Sequence, residues 1–268
     1  MLENLSLDGK TIVITGAGTG LGKEMTLAMA KAGADLVVAA RRQEPIDEVA
    51  AQVRDLGRRA LAVSTDVTDT SQVNRLFEKT LEEFGKVDVL FNNAGIVREH
   101  RDVALWDIKD DDWRVGIDTN LSGAFYCARA VAKHMVDRGG GKIVNVASGF
   151  GLRGGRSNYM YACAKGGVLQ LTRVLVTSLS RYGIISSCIV PGFIPTEADL
   201  AGGDEAGVRG DFIPVGRVGY PPELGPIAVF MASPASDYLN GEMLAVDGGG
   251  LAGGYAPTGY APEIPLEV

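Results

Sequence analysis

Histidine, cysteine, basic excess and long apolar stretches are all scarce in this sequence, and each shortage excludes a class of protein. The 268 residues include two histidines and three cysteines. Cys127, Cys163 and Cys188 lie far apart with no C-x-x-C pair, so no metal site and no disulfide framework are expected, and the thiols read as reduced, mostly core groups. No apolar run approaches the roughly 18 residues of a membrane span, and Met1 to Lys10 has no apolar segment of the signal-peptide kind. A soluble cytoplasmic protein with no membrane partner is therefore expected. Net charge is −7, with no stripe of Lys or Arg, which argues against a nucleic-acid partner. Proline is modest too, at 11 residues against 36 glycines, and the glycines follow no three-residue period, which excludes a collagen-like chain.

What is abundant is glycine, about 13% of residues against roughly 7% in an average protein. With 46% apolar residues the chain is globular rather than disordered. Short β-branched runs alternate with amphipathic stretches, the pattern of βαβ units and a parallel sheet. Strands are expected at Thr11 to Thr15, Leu36 to Ala40, Leu61 to Thr65, Val87 to Phe91, Ile143 to Ala147, Ile184 to Val190 and Met243 to Val246. Trp113, Ile117, Leu121, Ala124, Phe125, Ala128, Val131 and Met135 mark one long helix, and another runs from about Asn158 to Tyr182. No linker divides this series. One domain spanning 1–268 is expected, a three-layer Rossmann fold with a doubly wound seven-stranded parallel sheet and helices on both faces, ending in a Gly/Pro-rich tail from about residue 250.

In such a sheet the ligand crevice lies at the carboxyl ends of the strands, where the winding reverses. Thr15 to Gly22 fills the first strand-to-helix turn. Gly16, Gly18, Thr19, Gly20, Leu21 and Gly22 are placed there to receive a pyrophosphate on main-chain N–H groups and a helix N-terminus. After the second strand the acidic residue that would bind a ribose 2′-hydroxyl is missing. Arg41 and Arg42 stand in its place, a pair suited to a 2′-phosphate, so NADP is the preferred cofactor, with NAD possible. Asp66-Val67 follows the third strand; the carboxylate either accepts the adenine amino group or caps the helix starting near Thr70. Asn92 to Gly95 ends the fourth strand, and Asn93, Ala94 and Gly95 either run beside the cofactor or form an Asx-type turn.

Tyr161 and Lys165, at i and i+4, share a helix face. A phenol with a reference pKa of about 10 needs help to exchange protons near neutral pH. An ammonium about 5 Å away at an effective dielectric of about 20 favours phenolate by roughly 3 kcal/mol. Ser148 ends the fifth strand, where its hydroxyl can hold a substrate oxygen, and Asn120 lies inside the long helix, an odd place for an amide unless it bonds to something. Chance supplies about 0.27 Y-x-x-x-K pairs in a chain of this composition, and only about 0.012 once a serine at fixed offset is required.

These ordered motifs resemble the short-chain dehydrogenase/reductase family over roughly residues 5–250: TGAGTGLG from Thr15, DV at Asp66, NNAG from Asn92, Asn120 within DTNLSG, Ser148, YACAK from Tyr161, PGFIPT from Pro191 and VDGG from Val246. The resemblance implies a general acid/base at Tyr161, with Lys165 lowering its pKa and binding the nicotinamide ribose. It implies substrate orientation by Ser148, a proton relay through Asn120, and nicotinamide contacts from Pro191, Gly192, Ile194 and Thr196. It implies reversible hydride transfer between a small-molecule alcohol or carbonyl substrate and the cofactor, in a homotetramer. A non-catalytic NADP-binding sensor of the same fold is the alternative. Ser187 departs from the asparagine that many members carry before the PG motif. Gly192 to Phe212 is expected to form a lid, and Arg98, Arg153, Arg156, Tyr159 and Phe193 to line the substrate pocket, though the two arginines after Ser148 fit solvated loop positions as well. Tyr255 and Tyr260 lie in a tail that is either disordered or docked on a neighbouring subunit.

Overall fold

A computed structural model describes residues 2–97, 103–196 and 210–253. The expected tail, the middle of the expected lid and Arg98 lie outside the described residues. Seven strands, β1 (Thr11–Thr15), β2 (Asp35–Ala40), β3 (Ala60–Ser64), β4 (Val89–Asn92), β5 (Gly141–Val146), β6 (Ile184–Pro191) and β7 (Met243–Val246), form one sheet in the order β3-β2-β1-β4-β5-β6-β7. Every pairing is parallel. The chain therefore winds outward from β1 in one direction and from β4 in the other, and the crevice falls between them.

Strand alternation divides the apolar residues between two layers. Ile12, Ile14, Leu36, Val38 and Phe91 face α1 (Gly20–Lys31), α2 (Gln43–Asp55) and, further along, α7 (Gly225–Ala232). Val13, Val37 and Leu90 face α3 (Thr70–Phe84) and α5 (Gly123–Asp137), with α6 (Tyr159–Leu179) completing that layer over Cys188 and Val190. Cys127 and Cys188 are core thiols, whereas Cys163 is exposed. Ser187 is buried within β6.

Two expectations are corrected. The long helix is two, α4 (Asp110–Ile117) and α5, joined by a wide π turn at Asp118–Ser122. Asp69, not Asp66, caps α3: its carboxylate accepts from the Ser71 hydroxyl and the Gln72 side-chain amide and also from the backbone amides of both, and these bonds hold its pKa down at about 2, while Asp66 accepts from Thr68 two residues on. The apolar faces of α5 and α6 are largely used, since Ala128 and Val168 are buried and Leu175 and Leu179 pack on the core, leaving Phe125 43% exposed.

The turn into β4 rests on an imidazole. His134 of α5 accepts the Val87 amide at Nε2 (3.2 Å), which requires the neutral ring. Burial lowers the pKa of His134, as does Arg138, against the opposing carboxylates of Asp137 and Asp88. A histidine with a depressed folded pKa contributes stability that is complete above its unfolded value of about 6.5 and is lost as pH falls from there through the folded pKa. The melting temperature is expected to fall between pH 7 and 5, and His134→Gln is expected to flatten that part of the curve. An identical slope in the variant would contradict this account.

Candidate active site

The glycine turn between β1 and α1 is built by close approach of main chain to main chain. Gly16 has φ +66°, and a Cβ there would lie 2.7 Å from Ala94 Cα; a Cβ on Gly22 would overlap the Gly16 carbonyl oxygen and stand 2.5 Å from Asn93 Nδ2. No larger residue fits either place. Thr15 Oγ1 accepts the amides of Asn93 and Ala94, both at 3.1 Å, and Asn93 Nδ2 donates to the carbonyls of Thr15 (2.9 Å) and Gly16 (3.0 Å). The end of β4 is thus stapled behind the turn.

A cavity of about 410 Å³ opens in front of it, lined by Gly16, Gly18, Thr19, Arg41, Arg42, Asp66, Val67, Ala94 and Gly95. These nine come from four separate stretches of sequence. Ala40, Pro45, Thr65, Ile96 and Thr119 complete the wall and were not singled out from the sequence; Thr65 precedes Asp66 and Ala40 precedes Arg41, so strand ends themselves were the available signal. Asn93 holds the turn from behind. Gly20 sits against Thr196, whose methyl would lie 2.8 Å from a Cβ there, so the turn also meets the loop after β6. Gly192 packs on Asp247, where a Cβ would come within 2.6 Å of Asp247 Cα.

The second half of the site gathers on β5 and α6. Ser148 lies just past β5, 9% exposed, and its Oγ accepts the Phe150 amide at 3.2 Å. Lys165 is 4% exposed and donates from Nζ to the Val146 carbonyl at 2.8 Å. That ammonium lies 5.7 Å from the centre of the Tyr161 ring. Asn120 occupies the π turn. Its Nδ2 donates to Gly116 O (2.9 Å) and Ile96 O (3.0 Å), and its Oδ1 accepts the Ile96 amide (3.1 Å). Because the side chain takes the carbonyl that a backbone amide would use, the helical ladder slips by one residue there. Gly95 lets these groups converge: a Cβ on it would lie 2.6 Å from Asn120 Oδ1 and 3.4 Å from Lys165 Nζ. Of the expected pocket residues, Arg153 donates to Gly250 O at 3.2 Å, a loop-to-loop tie, and Arg156 is exposed.

Sequence reasoning passed over Asn145 and Thr172, both fully buried and bonded to each other at 2.9 Å. The available signal was an amide in the middle of an otherwise apolar strand.

Burial pushes the Lys165 ammonium down to about 8, a shift the Cys188 thiol opposes. A lysine with a depressed folded pKa weakens the fold at low pH, where both states are charged, and the penalty is relieved as pH rises from about 8 toward its unfolded value of about 10.4. Lys165→Met is therefore expected to raise the melting temperature at pH 7, and the gain to shrink by pH 10. A lower melting temperature for the variant at pH 7 would contradict this.

Comparison with known proteins agrees with this fold. The family model for short chain dehydrogenase matches residues 10–204. The 2-dehydro-3-deoxy-D-gluconate 5-dehydrogenase of Escherichia coli (strain K12) is 39% identical over 257 residues, covering 94% of this chain and 99% of that protein. A gluconate 5-dehydrogenase from Burkholderia cenocepacia J2315, solved in complex with NADP and tartrate, superposes with TM-score 0.88 at 36% identity, over 94% of this chain and 99% of that one. A 7α-hydroxysteroid dehydrogenase complexed with NADH and 7-oxo glycochenodeoxycholic acid gives TM-score 0.88 at 32% identity, over 94% and 98%. With the sheet order, the glycine turn and these likenesses together, the chain belongs to the short-chain dehydrogenase/reductase family and is an NAD(P)-dependent oxidoreductase interconverting alcohol and ketone.

Proposed function

We propose that Tyr161 is the general acid/base of this oxidoreductase, and the observation that carries the reading is the Lys165 ammonium held 5.7 Å from the centre of the Tyr161 ring, with Gly95 between that ammonium and Asn120. The site suits a dinucleotide: only glycine fits at 16 and 22, and the cavity wall there is bare main chain. When bound, the nicotinamide supplies or accepts a hydride at its C4. Tyr161 passes the proton to or from the substrate oxygen. Ser148 holds that oxygen by hydrogen bond. Lys165, kept on the Val146 carbonyl, places positive charge beside the phenol and favours its ionised form below pH about 8, where the ammonium persists. Asn120 is held by three hydrogen bonds at the back of the site, in reach of a water-linked proton path. The relatives are named dehydrogenases, which favours turnover over the non-catalytic reading.

The cofactor we infer is NADP in preference to NAD. Its support is the pair Arg41 and Arg42 on the cavity wall, where Asp66, already bonded to Thr68, is the one carboxylate among the described lining residues. Gly16, Gly18, Thr19, Gly20, Leu21 and Gly22 would receive the pyrophosphate, Asp66 and Val67 the adenine, Asn93 to Gly95 the ribose side, and Pro191, Gly192, Ile194 and Thr196 the nicotinamide. For the substrate we infer a hydroxylated carboxylate, on the names of relatives at 36 and 39% identity. A cytoplasmic homotetramer is the assembly we infer, with Phe125 of α5, 43% exposed, available for subunit packing.

Two measurements test these assignments. Tyr161→Phe is expected to lower kcat by about 100-fold or more, the scale of a lost general acid/base, with NADPH affinity kept; full activity would remove Tyr161 from the role. Loss of one charge-assisted bond to a phosphate corresponds to about 1.5–3 kcal/mol. Arg41→Ala is accordingly expected to weaken NADPH binding by about tenfold or more and to leave NADH binding unchanged, and equal effects on both would refute the cofactor preference. D-gluconate and other sugar acids, steroids, acyl thioesters and small ketones form the substrate panel.

A further inference from the structure

A single line of buried hydrogen bonds joins four elements that carry site motifs. Asn92, ending β4, donates from Nδ2 to the Ala124 carbonyl of α5 (3.2 Å) and to Asn145 Oδ1 in β5 (2.9 Å). Asn145 Nδ2 donates to Thr172 Oγ1 of α6 (2.9 Å), and the Thr172 hydroxyl donates to the Val168 carbonyl of the same helix (2.9 Å). Asn145 and Thr172 are fully buried and Asn92 is 4% exposed. The bonds run in one sense, and Asn145 gives from its nitrogen and receives at its oxygen, so it is fixed in orientation from both ends.

The geometry of this line sets where α6 rests. Thr172 fastens the helix to Asn145, and Lys165 fastens it to the carbonyl of the next residue, Val146. The two fastenings are seven residues apart on α6, about 10.5 Å of helix, yet they meet neighbouring residues of one strand. Sliding or rolling α6 on β5 breaks one of them. Tyr161 lies one turn before Lys165 on the same helix face, and Ser148 lies two residues beyond Val146. The separation of the two hydroxyls is thus fixed by these two bonds. An apolar pair of the same shape would fill the space without hydrogen-bond constraint and at little cost to the fold, so stability alone gives no reason for an amide and a hydroxyl there.

We propose that Asn145 and Thr172 are positioning residues for hydride transfer, seating α6 so that Tyr161 and Lys165 meet the substrate oxygen held by Ser148. This rests on the reading of Tyr161 as general acid/base. Misplacing a reacting group by about 1 Å lowers rates by about 100-fold. Thr172→Val, which keeps the shape and removes the acceptor, is expected to lower kcat by about 10- to 100-fold and to displace the pH profile of kcat. KM for NADPH should stay within about twofold, because the altered bond lies between β5 and α6, whereas the glycine turn and Arg41 follow β1 and β2. Thr172→Ser is expected to restore kcat to within about threefold of the wild type.

The assay uses the full chain, NADPH and the panel substrate with the highest kcat/KM. Should Thr172→Val fail to fold, the double variant Asn145→Leu with Thr172→Val leaves no orphaned partner on α6 and is expected to melt near the wild type while showing the same loss in kcat. Wild-type kcat and pH profile in either folded variant overturn the proposal, as does a loss in kcat that Thr172→Ser fails to repair. Full activity of Tyr161→Phe instead overturns the underlying reading of the site. An inactive Tyr161→Phe beside a fully active Thr172→Val overturns the positioning role alone.

Discussion

Main chain pressed against main chain at the junction of β1 and β4 is the constraint on which the rest of the molecule depends. Parallel winding outward from these two strands opens a crevice only if their ends turn away from each other within a few residues, and the turn after β1 does so with no side chain at Gly16 or Gly22. Thr15 and Asn93 then close the contact with hydrogen bonds that satisfy the polar groups such tight packing would otherwise strand. Everything that lines the cavity, from Arg41 on one side to Gly95 on the other, is referred to this fixed point. The packing that hides the polar backbone on one side of the turn leaves it bare on the other, toward the cavity.

Local chemistry explains why so much of this was legible in the amino-acid order. Thr11–Thr15 and Met243–Val246 are β-branched or apolar runs bounded by turn residues, and both strands appear at the expected limits. Helix ends at Gly33 and Gly85 follow from a left-handed backbone, with φ of +108° and +71°, that few other residues adopt. Arg41, Asp66 and Gly95 belong to different motifs, yet each follows a strand, so a parallel sheet brings them to one edge whatever the lengths of the connections between them.

The features that escaped sequence reading depend on partners far away in the chain. Asn120 breaks the helical ladder because its amide also reaches Ile96, 24 residues earlier; the apolar spacing around it is compatible with an unbroken helix. Asn145 is bonded across separations of 53 residues to Asn92 and 27 to Thr172. Asp66 and Asp69 stand within four residues of one helix start, and only the folded turn shows which carboxylate meets the free amides. In each case composition and period describe the residue correctly while its partner is set by topology.

The π turn at Asp118–Ser122 has one further consequence. A wide turn holds one residue more than an α-helical one, so α5 is rotated by about 100° relative to a continuous extension of α4. On α4 the face toward α6 carries Gly116, packed directly under Met160, whereas on α5 Cys127 and Val131 face the sheet. The turn thus acts as a fixed swivel in one rod, letting two helices of continuous direction answer to different neighbours. Removing a single residue from it would regularise the helix and, in the same stroke, turn one of its two faces away from the surface it was shaped to meet.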